Sequence, residues 1–462
     1  MKSSLQTAFK SWIVLTALVI ISIVVIYIRN GAVGLDLFIQ QWPLSNLAVT
    51  LASTALTWLC FGTLLYLLAN EKINSVNAFT AAGFFIVMFV TLNILRERFR
   101  YGDYAYYIEA ATAMLQHKAL PVTYLYPPLW AAILQFIVPL GDQGVLTVLW
   151  TTNVIALAAF YFLLHRLLER YGFSVRFAAL LTVIFILINV PLQRTLGYVQ
   201  VNLMVIDLIL LSVFTYPKNL FLSALTLALA VHLKTSPAVL ILAFLLERDW
   251  RWLAWFALTF IIIGLFPVVT NGISPYLDYL HNTVALAQRP NTNFHDTSFD
   301  SFLRFFNPFL GISAFWTGIM ITVSKAVLAL AVFGVMIKNI RSRIFFNDRV
   351  RGDVIFNSIP PLFILMTLAS PIVWEHHAIF VALSFLLMLK RIEAPAAWTW
   401  FGFAYMFEFI MPSFDFFPWS YGRLIAPLIV LVLMWGLPKK QGGSPFFYTV
   451  NMWFERLRFK TS

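Results

Sequence analysis

Asp103 stands between Gly102 and Tyr104 in the stretch RFRYGDYAYYIEAATAML, residues 98 to 115, just behind Arg96, Arg98 and Arg100. A lone carboxylate at the exit of an apolar run can act as a general base when burial lifts its pKa toward neutrality. An Asp at a helix start equally suits an N-cap, which needs no chemistry. The arginines carry forked guanidinium groups that match phosphate oxygens, or lipid head groups beside the membrane.

Four further stretches carry chemistry. In YVQVNLMVIDLI, 198 to 209, Gln200 and Asn202 are amides that can bind sugar hydroxyls or bridge helices, and Asp207 lies deeper in the same apolar run. An acid at that depth costs about 2.5–3.5 kcal/mol on insertion scales, so it asks for a partner or water. VHLKTSPAV, 231 to 239, sets His232 and Lys234 between two apolar runs, with Pro237 forcing a break. A lysine there can meet an anion, helped by the positive N-terminal end of the next helix, or it can snorkel. NTNFHDTSFDSFLRF, 291 to 305, offers His295, Asp296 and Asp300 as metal ligands or as capping acids of a solvated loop. SPIVWEHHAIF, 370 to 380, joins Trp374 and Glu375 to His376 and His377. Adjacent residues on a helix point about 100° apart, so one ring can face a cleft while the other packs; as a generic pattern the stretch is interfacial decoration.

The elements that must position these residues are membrane helices. Of 462 residues 61% are hydrophobic and only 11% charged, which excludes an ordinary soluble enzyme. Hydropathy predicts about fourteen crossings, at 12–28, 47–69, 79–95, 145–164, 177–190, 201–216, 219–233, 236–247, 252–270, 313–337, 355–370, 376–390, 396–412 and 422–437. Several fall short of the roughly 20 residues of a straight span, which implies broken or tilted helices. The first is a retained span, not a cleaved leader. With the N-terminus in the cytoplasm, most Lys and Arg fall on the inner side, so the net charge of +12 is the positive-inside signal. It calls for anionic membrane lipid and not for nucleic acid. The single Cys60 permits no disulfide within the chain and no thiol-based metal site.

One apolar stretch, LYPPLWAAILQFIVPLG from 125 to 141, would move the most basic loops outside if it crossed. It is therefore expected to be re-entrant or interfacial, started by Pro127 and Pro128 and stopped by Pro139 and Gly141. Before it, Tyr104, Tyr107, Ile108, Ala111, Met114 and Leu115 fall on one helical stripe, the pattern of a short helix on the membrane surface. This assignment puts His117, His232, His281, His295, His376 and His377 on the outer side with Asp103 and Lys234. Chemistry is expected there.

In their order these pieces resemble glycosyltransferase family 87, the GT-C-fold, polyprenyl-phosphate-mannose-dependent α-1,2-mannosyltransferases. The resemblance is carried by GDYAYYIEAATAML with LYPPLWAAIL, YVQVNLMVIDLILL, HLKTSPAVLIL with ERDWRW, and SPIVWEHHAIF, which together span 102 to 380. It implies an all-α polytopic GT-C membrane protein of about 12 to 14 transmembrane helices, with interfacial helices in an outer loop. It implies an inverting transfer of a hexose, mannose first, from a polyprenyl-phosphate donor to a glycolipid or glycan acceptor on the outer face. Asp103 then matches the position of the base. Lys234 matches a Lys-x-x-Pro element and His376 and His377 a Trp-x-His-His element. Together with Arg98, Arg100, Gln200, Asn202, Tyr104 and Tyr107 these residues are the candidates for donor phosphate or sugar binding. No Asp-x-Asp and no Gly-rich phosphate loop is present, and neither metal nor cofactor is assigned.

Two features depart from the family pattern. The Asp-bearing loop follows the third apolar run instead of the first, and Val199 stands where Gly is expected before Gln200. The chain then divides into additional N-terminal spans (1–75), a GT-C catalytic domain (76–440) and a basic cytoplasmic tail (441–462). The competing expectation is a transporter or lipid-linked sugar flippase that uses Asp207, Lys325 and Glu408 within the membrane.

Overall fold

The structure, a computed structural model, describes residues 2–38, parts of 55–70, 103–288, 296–346, 352–411, 419–438 and 448. In chain order the helices are α1 (Lys2–Phe38), α2 (Tyr104–Leu115), α3 (Pro128–Leu134), α4 (Gly141–Arg170), α5 (Val175–Leu187), α6 (Val190–Gly197), α7 (Asn202–Thr215) and α8 (Leu220–Leu233). A 3-10 turn, Ser236–Leu240, leads into α9 (Ile241–Glu247), followed by α10 (Trp250–Asn271), α11 (Ser274–Gln288), α12 (Phe299–Phe306), α13 (Ala314–Ser342) and α14 (Asp353–Leu368). A second 3-10 turn, Glu375–Val381, opens α15 (Ala382–Met388); α16 (Pro395–Tyr405) runs into a π-helical turn, Met406–Ile410, and α17 (Gly422–Gly436) closes the series. Among the described residues there is no strand. The protein is an all-α polytopic membrane protein.

Among the described residues four helical stretches are long and apolar enough to cross a bilayer: Leu5–Ser22 within α1, Val138–Arg170, Trp250–Asn271 and Ala314–Ser342. The expected span at 177–190 is the first arm of a pair, α5 and α6, bent by 61°. Sequence explains the bend. Asn189 caps α6 by accepting from Leu192 N–H at 2.8 Å, and Pro191 supplies a residue that needs no donor in the first turn. The spans expected near 201–216, 219–233, 236–247, 355–370, 376–390 and 422–437 are helices of 10–17 residues, so each is too short to cross straight. The candidate at 47–69 lies partly, and that at 79–95 wholly, outside the described residues.

The core forms around α14, buried along its length from Ile355 to Leu368 although Pro360 and Pro361 sit inside it. Pro360 has no N–H to give the Phe356 carbonyl four residues back. Tyr171 OH donates to that carbonyl at 2.9 Å instead, which is how an apolar interior tolerates the proline. The 125–141 stretch does not cross. Its helix α3 has 7 residues, nearly all buried, and a 3-10 turn at Val138–Leu140 ends it. The stripe expected on α2 needs correction. Tyr107, Ala110, Ala111 and Met114 are buried against protein while Leu115 is exposed, so the inward face takes in Ala110 and leaves out Leu115.

The first segments are tied to the C-terminal helices by aromatic rings. Trp12 and Trp58 stack at 5.7 Å, and Trp58 meets Phe407 of the π-helical turn at 6.1 Å. Trp12 Nε1 donates to the Trp58 carbonyl at 3.2 Å, and Trp58 Nε1 to Thr16 Oγ1 at 2.8 Å. Gly62 lets the Trp12 ring approach, since a Cβ there would sit 2.3 Å from it.

Candidate active site

Asp103 precedes α2, with its backbone N–H donating to the Tyr198 carbonyl at 3.1 Å. Its carboxylate makes no capping bond to the helix. The side chain turns instead to Gln200, whose amide nitrogen donates to Asp103 Oδ2. Burial pushes the Asp103 carboxyl up from 3.8 to about 6, against the lowering effect of the Gln200 hydrogen bond and of Lys234 nearby. An acid placed this way is ionised at neutral pH and still basic enough to take a proton.

Gln200 is fully buried, and its Oε1 accepts from Tyr107 OH at 2.9 Å and from Tyr126 OH at 3.0 Å. Two hydroxyl donors on the oxygen leave the NH2 group to face the carboxylate, so the network fixes the amide's orientation. The turn that delivers Gln200 is strained. Val199 adopts φ +57° between α6 and α7, a left-handed conformation that β-branched residues avoid. This is where the family pattern calls for Gly.

Asn202 begins α7 and Lys234 follows α8, and Lys234 Nζ donates to Asn202 Oδ1 at 2.9 Å. The same Nζ lies 2.7 Å from His377 Nε2, with the Phe380 and Tyr126 rings at 5.3 and 5.9 Å. The lysine does not snorkel. It is held in the break that Pro237 enforces, and burial lowers its pKa from 10.5 to about 7, with Asp103 pulling the other way. The Asn202 amide nitrogen is buried and has no hydrogen-bond partner among the described residues, so it can donate to an incoming oxygen.

The two histidine rings meet each other edge-on, with centroids 4.7 Å apart, and then take different partners. The His377 ring meets Lys234 and accepts the Trp374 N–H on Nδ1 at 3.2 Å. The His376 ring packs edge-on against Tyr198 at 6.2 Å, and its carbonyl accepts from Thr195 Oγ1 at 3.5 Å. Their turn is anchored by Glu375, which bridges Arg194 at 2.6 Å and Arg423 at 3.1 Å in a fully buried group. On its other flank Asp296 Oδ1 accepts from Val373 N–H and Ser298 N–H, each at 2.9 Å.

Asp103, Gln200, Asn202, Lys234, His377 and Tyr107 thus converge from four separate parts of the chain. Tyr104 is half-buried against the core, and Tyr106 is 45% exposed. Arg98, Arg100, Tyr101 and His295 lie outside the described residues. Asp296 and Asp300 are committed elsewhere, Asp296 to backbone amides and Asp300 to an ion pair with Lys325. Among the described residues no group of three His, Cys, Asp or Glu side chains could hold a metal ion. Sequence reasoning missed Tyr126, Arg194 and Arg423 as parts of this region. Tyr126 sits in the quoted LYPPLW stretch, where its hydroxyl beside two prolines was the available signal. Arg194 and Arg423 were isolated cations in apolar surroundings, and nothing local named Glu375 as their partner.

An all-helical multi-pass membrane protein with a half-buried carboxylate set near a lysine and a histidine fits one class in particular, the membrane glycosyltransferases. The profile of glycosyltransferase family 87 matches residues 124–371, more than half of the chain, and the protein belongs to that family. A polyprenol-phosphate-mannose-dependent alpha-(1-2)-phosphatidylinositol pentamannoside mannosyltransferase of Mycolicibacterium smegmatis (strain ATCC 700084 / mc(2)155) is 27% identical over 326 residues, covering 67% of this chain and 73% of the relative. Gln200, Asn202 and Lys234 fall inside the matched segment; Asp103, His376 and His377 flank it.

Proposed function

We propose that the protein transfers a hexose, mannose first, from a polyprenyl-phosphate donor to a hydroxyl of a glycolipid or glycan acceptor on the extracytoplasmic face, with inversion at the anomeric carbon. The supporting observation is the placement of Asp103: half-buried, oriented by Gln200, raised to about 6 and near Lys234. The printed name of the mycobacterial relative supports the mannose donor and a glycolipid acceptor.

In this reading Asp103 takes the proton of the acceptor hydroxyl as its oxygen attacks the anomeric carbon. The bond from that carbon to the phosphate oxygen breaks, and the electron pair leaves with the prenyl phosphate. The donor phosphodiester carries one negative charge and the departing monoester carries more. A cation aimed at that oxygen therefore stabilises the transition state more than the ground state. Lys234, with the His377 ring beside it, supplies the cation; Arg98 and Arg100 are assigned to the same phosphate, Asn202 and Tyr104 to the sugar pocket, and Tyr107 to holding Gln200. His376 supports the turn.

The test is transfer in one compartment. Purified protein in detergent, given radiolabelled polyprenyl-phosphate mannose and a crude lipid acceptor, is expected to yield a labelled, α-mannosidase-sensitive glycolipid. No product in detergent, with passage of the donor across the membrane of sealed vesicles, would establish the transporter reading in its place.

A further inference from the structure

Helix α11 carries its polarity the opposite way round from a soluble amphipathic helix. Its inward face is polar and bonded. Asp278 Oδ2 accepts from Leu120 N–H at 3.0 Å, Asn282 Nδ2 donates to the Pro121 carbonyl at 3.0 Å, and Tyr279 OH donates to Thr235 Oγ1 at 3.2 Å. The outward side presents Leu277, Leu280 and Val284, with Ile273 just before the helix; they are 59%, 58%, 56% and 58% exposed and recur every three or four residues, with the exposed His281 at their edge. In water such a row would leave its apolar area exposed at a cost in free energy. It suits hydrocarbon.

Its position argues for the same occupant. α11 follows α10 directly, turning at Gly272 where φ is +75°. α10 is one of the crossing helices, and its bare side ends in Leu265 and Val269, which are 50% and 82% exposed. The apolar face of α11 therefore takes up where a lipid-facing surface stops, one turn later and at the membrane boundary. Its 15 residues span about 22 Å, long enough to lie along the surface.

We propose that α11 lies in the interface of the leaflet on the active-site side, with Ile273, Leu277, Leu280 and Val284 set among lipid acyl chains. Tyr279 ties this helix to Thr235, so the anchored helix holds the adjacent Lys234 at the depth of a lipid phosphate. This second consequence rests on the function proposed above; the placement of the helix does not.

The experiment uses the full chain in lipid nanodiscs, with Cys60→Ala and single cysteines introduced as Leu277→Cys, Leu280→Cys or, as a lipid-facing reference, Val269→Cys. Each is spin-labelled, and its collisions with oxygen and with a water-soluble nickel chelate are compared. Labels at 277 and 280 are expected to favour oxygen over nickel several-fold, as at 269. Nickel collisions as frequent as those of a label free in solution would overturn the placement. In the second arm, Leu277→Asn/Leu280→Asn is expected to raise KM for the polyprenyl donor about tenfold in bilayers with little change in kcat. An unchanged KM in a transferring enzyme would remove the link to Lys234. Absence of transfer in the unaltered protein would count against the function alone, since the collision data stand apart from it.

Discussion

Gln200 donates to the Asp103 carboxylate while its own oxygen is held by two hydroxyls, those of Tyr107 at 2.9 Å and Tyr126 at 3.0 Å. The tyrosines orient the amide, and the amide orients the acid. Such a chain costs ordering in the fold and spares it at the moment of reaction.

Replacing Gln200 by Leu tests that chain. The hydrogen bond to Gln200 lowers the Asp103 pKa, so its loss should move the acid limb of the pH–rate profile to higher pH. Turnover should fall about tenfold to hundredfold through lost orientation. A profile with an unmoved acid limb would show that the amide does not touch the reacting acid.

The pH dependence of kcat/KM should be a narrow bell. Activity rises through about pH 6 as Asp103 ionises, and declines above about 7 as Lys234 loses its proton. Lys234→Arg keeps its charge at every working pH, so the alkaline decline should vanish from that variant even though its rate is reduced. Persistence of the decline would assign it to another group.

Asp103 should also reveal itself in stability. Its pKa is raised on folding, so its contribution is fully present below 3.8 and is lost as pH climbs through about 6. At neutral pH the half-buried carboxylate then costs on the order of 1–3 kcal/mol. Asp103→Asn is expected to match or exceed the parent in thermal stability at pH 7 and to lose that advantage at pH 4, as read by unfolding in detergent.

Glu375 sits between two buried guanidinium groups, and removing its charge leaves both facing each other. Glu375→Gln should cost about 3–5 kcal/mol of stability. The accompanying loss of folded protein should exceed that of the exposed-face control Arg166→Gln, measured by size-exclusion recovery after heating.

Val199→Gly should be neutral or stabilising by about 1 kcal/mol, because relief of a left-handed β-branched residue outweighs the added freedom of the unfolded chain. Thermal unfolding checks the sign, and a clear loss of stability would mean that packing of the valine side chain dominates.

Much of the site could be read from the sequence because its residues stand at breaks in apolar runs, where polar types are conspicuous. Asp103, Gln200, Asn202, Lys234 and His377 were all visible in this way. Pairings were harder to read. Glu375 finds Arg194 and Arg423 at separations of 181 and 48 residues, and no local pattern encodes a contact between distant helices. The backbone angle at Val199 was equally hidden, since a valine announces a strand or helix and never a left-handed turn. The α2 stripe included Leu115, which is exposed at the last residue of the helix, and left out Ala110, which is buried. Asp207 stays the least explained residue: it is 7% exposed, and neither carboxylate oxygen has a hydrogen-bond partner among the described residues.

The most direct measurement separates donor binding from transfer in Asp103→Asn. With labelled polyprenyl-phosphate mannose, the variant is expected to bind the donor within about threefold of the parent while its transfer rate falls by about 10³. Transfer at the parental rate by a folded, donor-bound Asp103→Asn protein would contradict the assignment of Asp103 as the base.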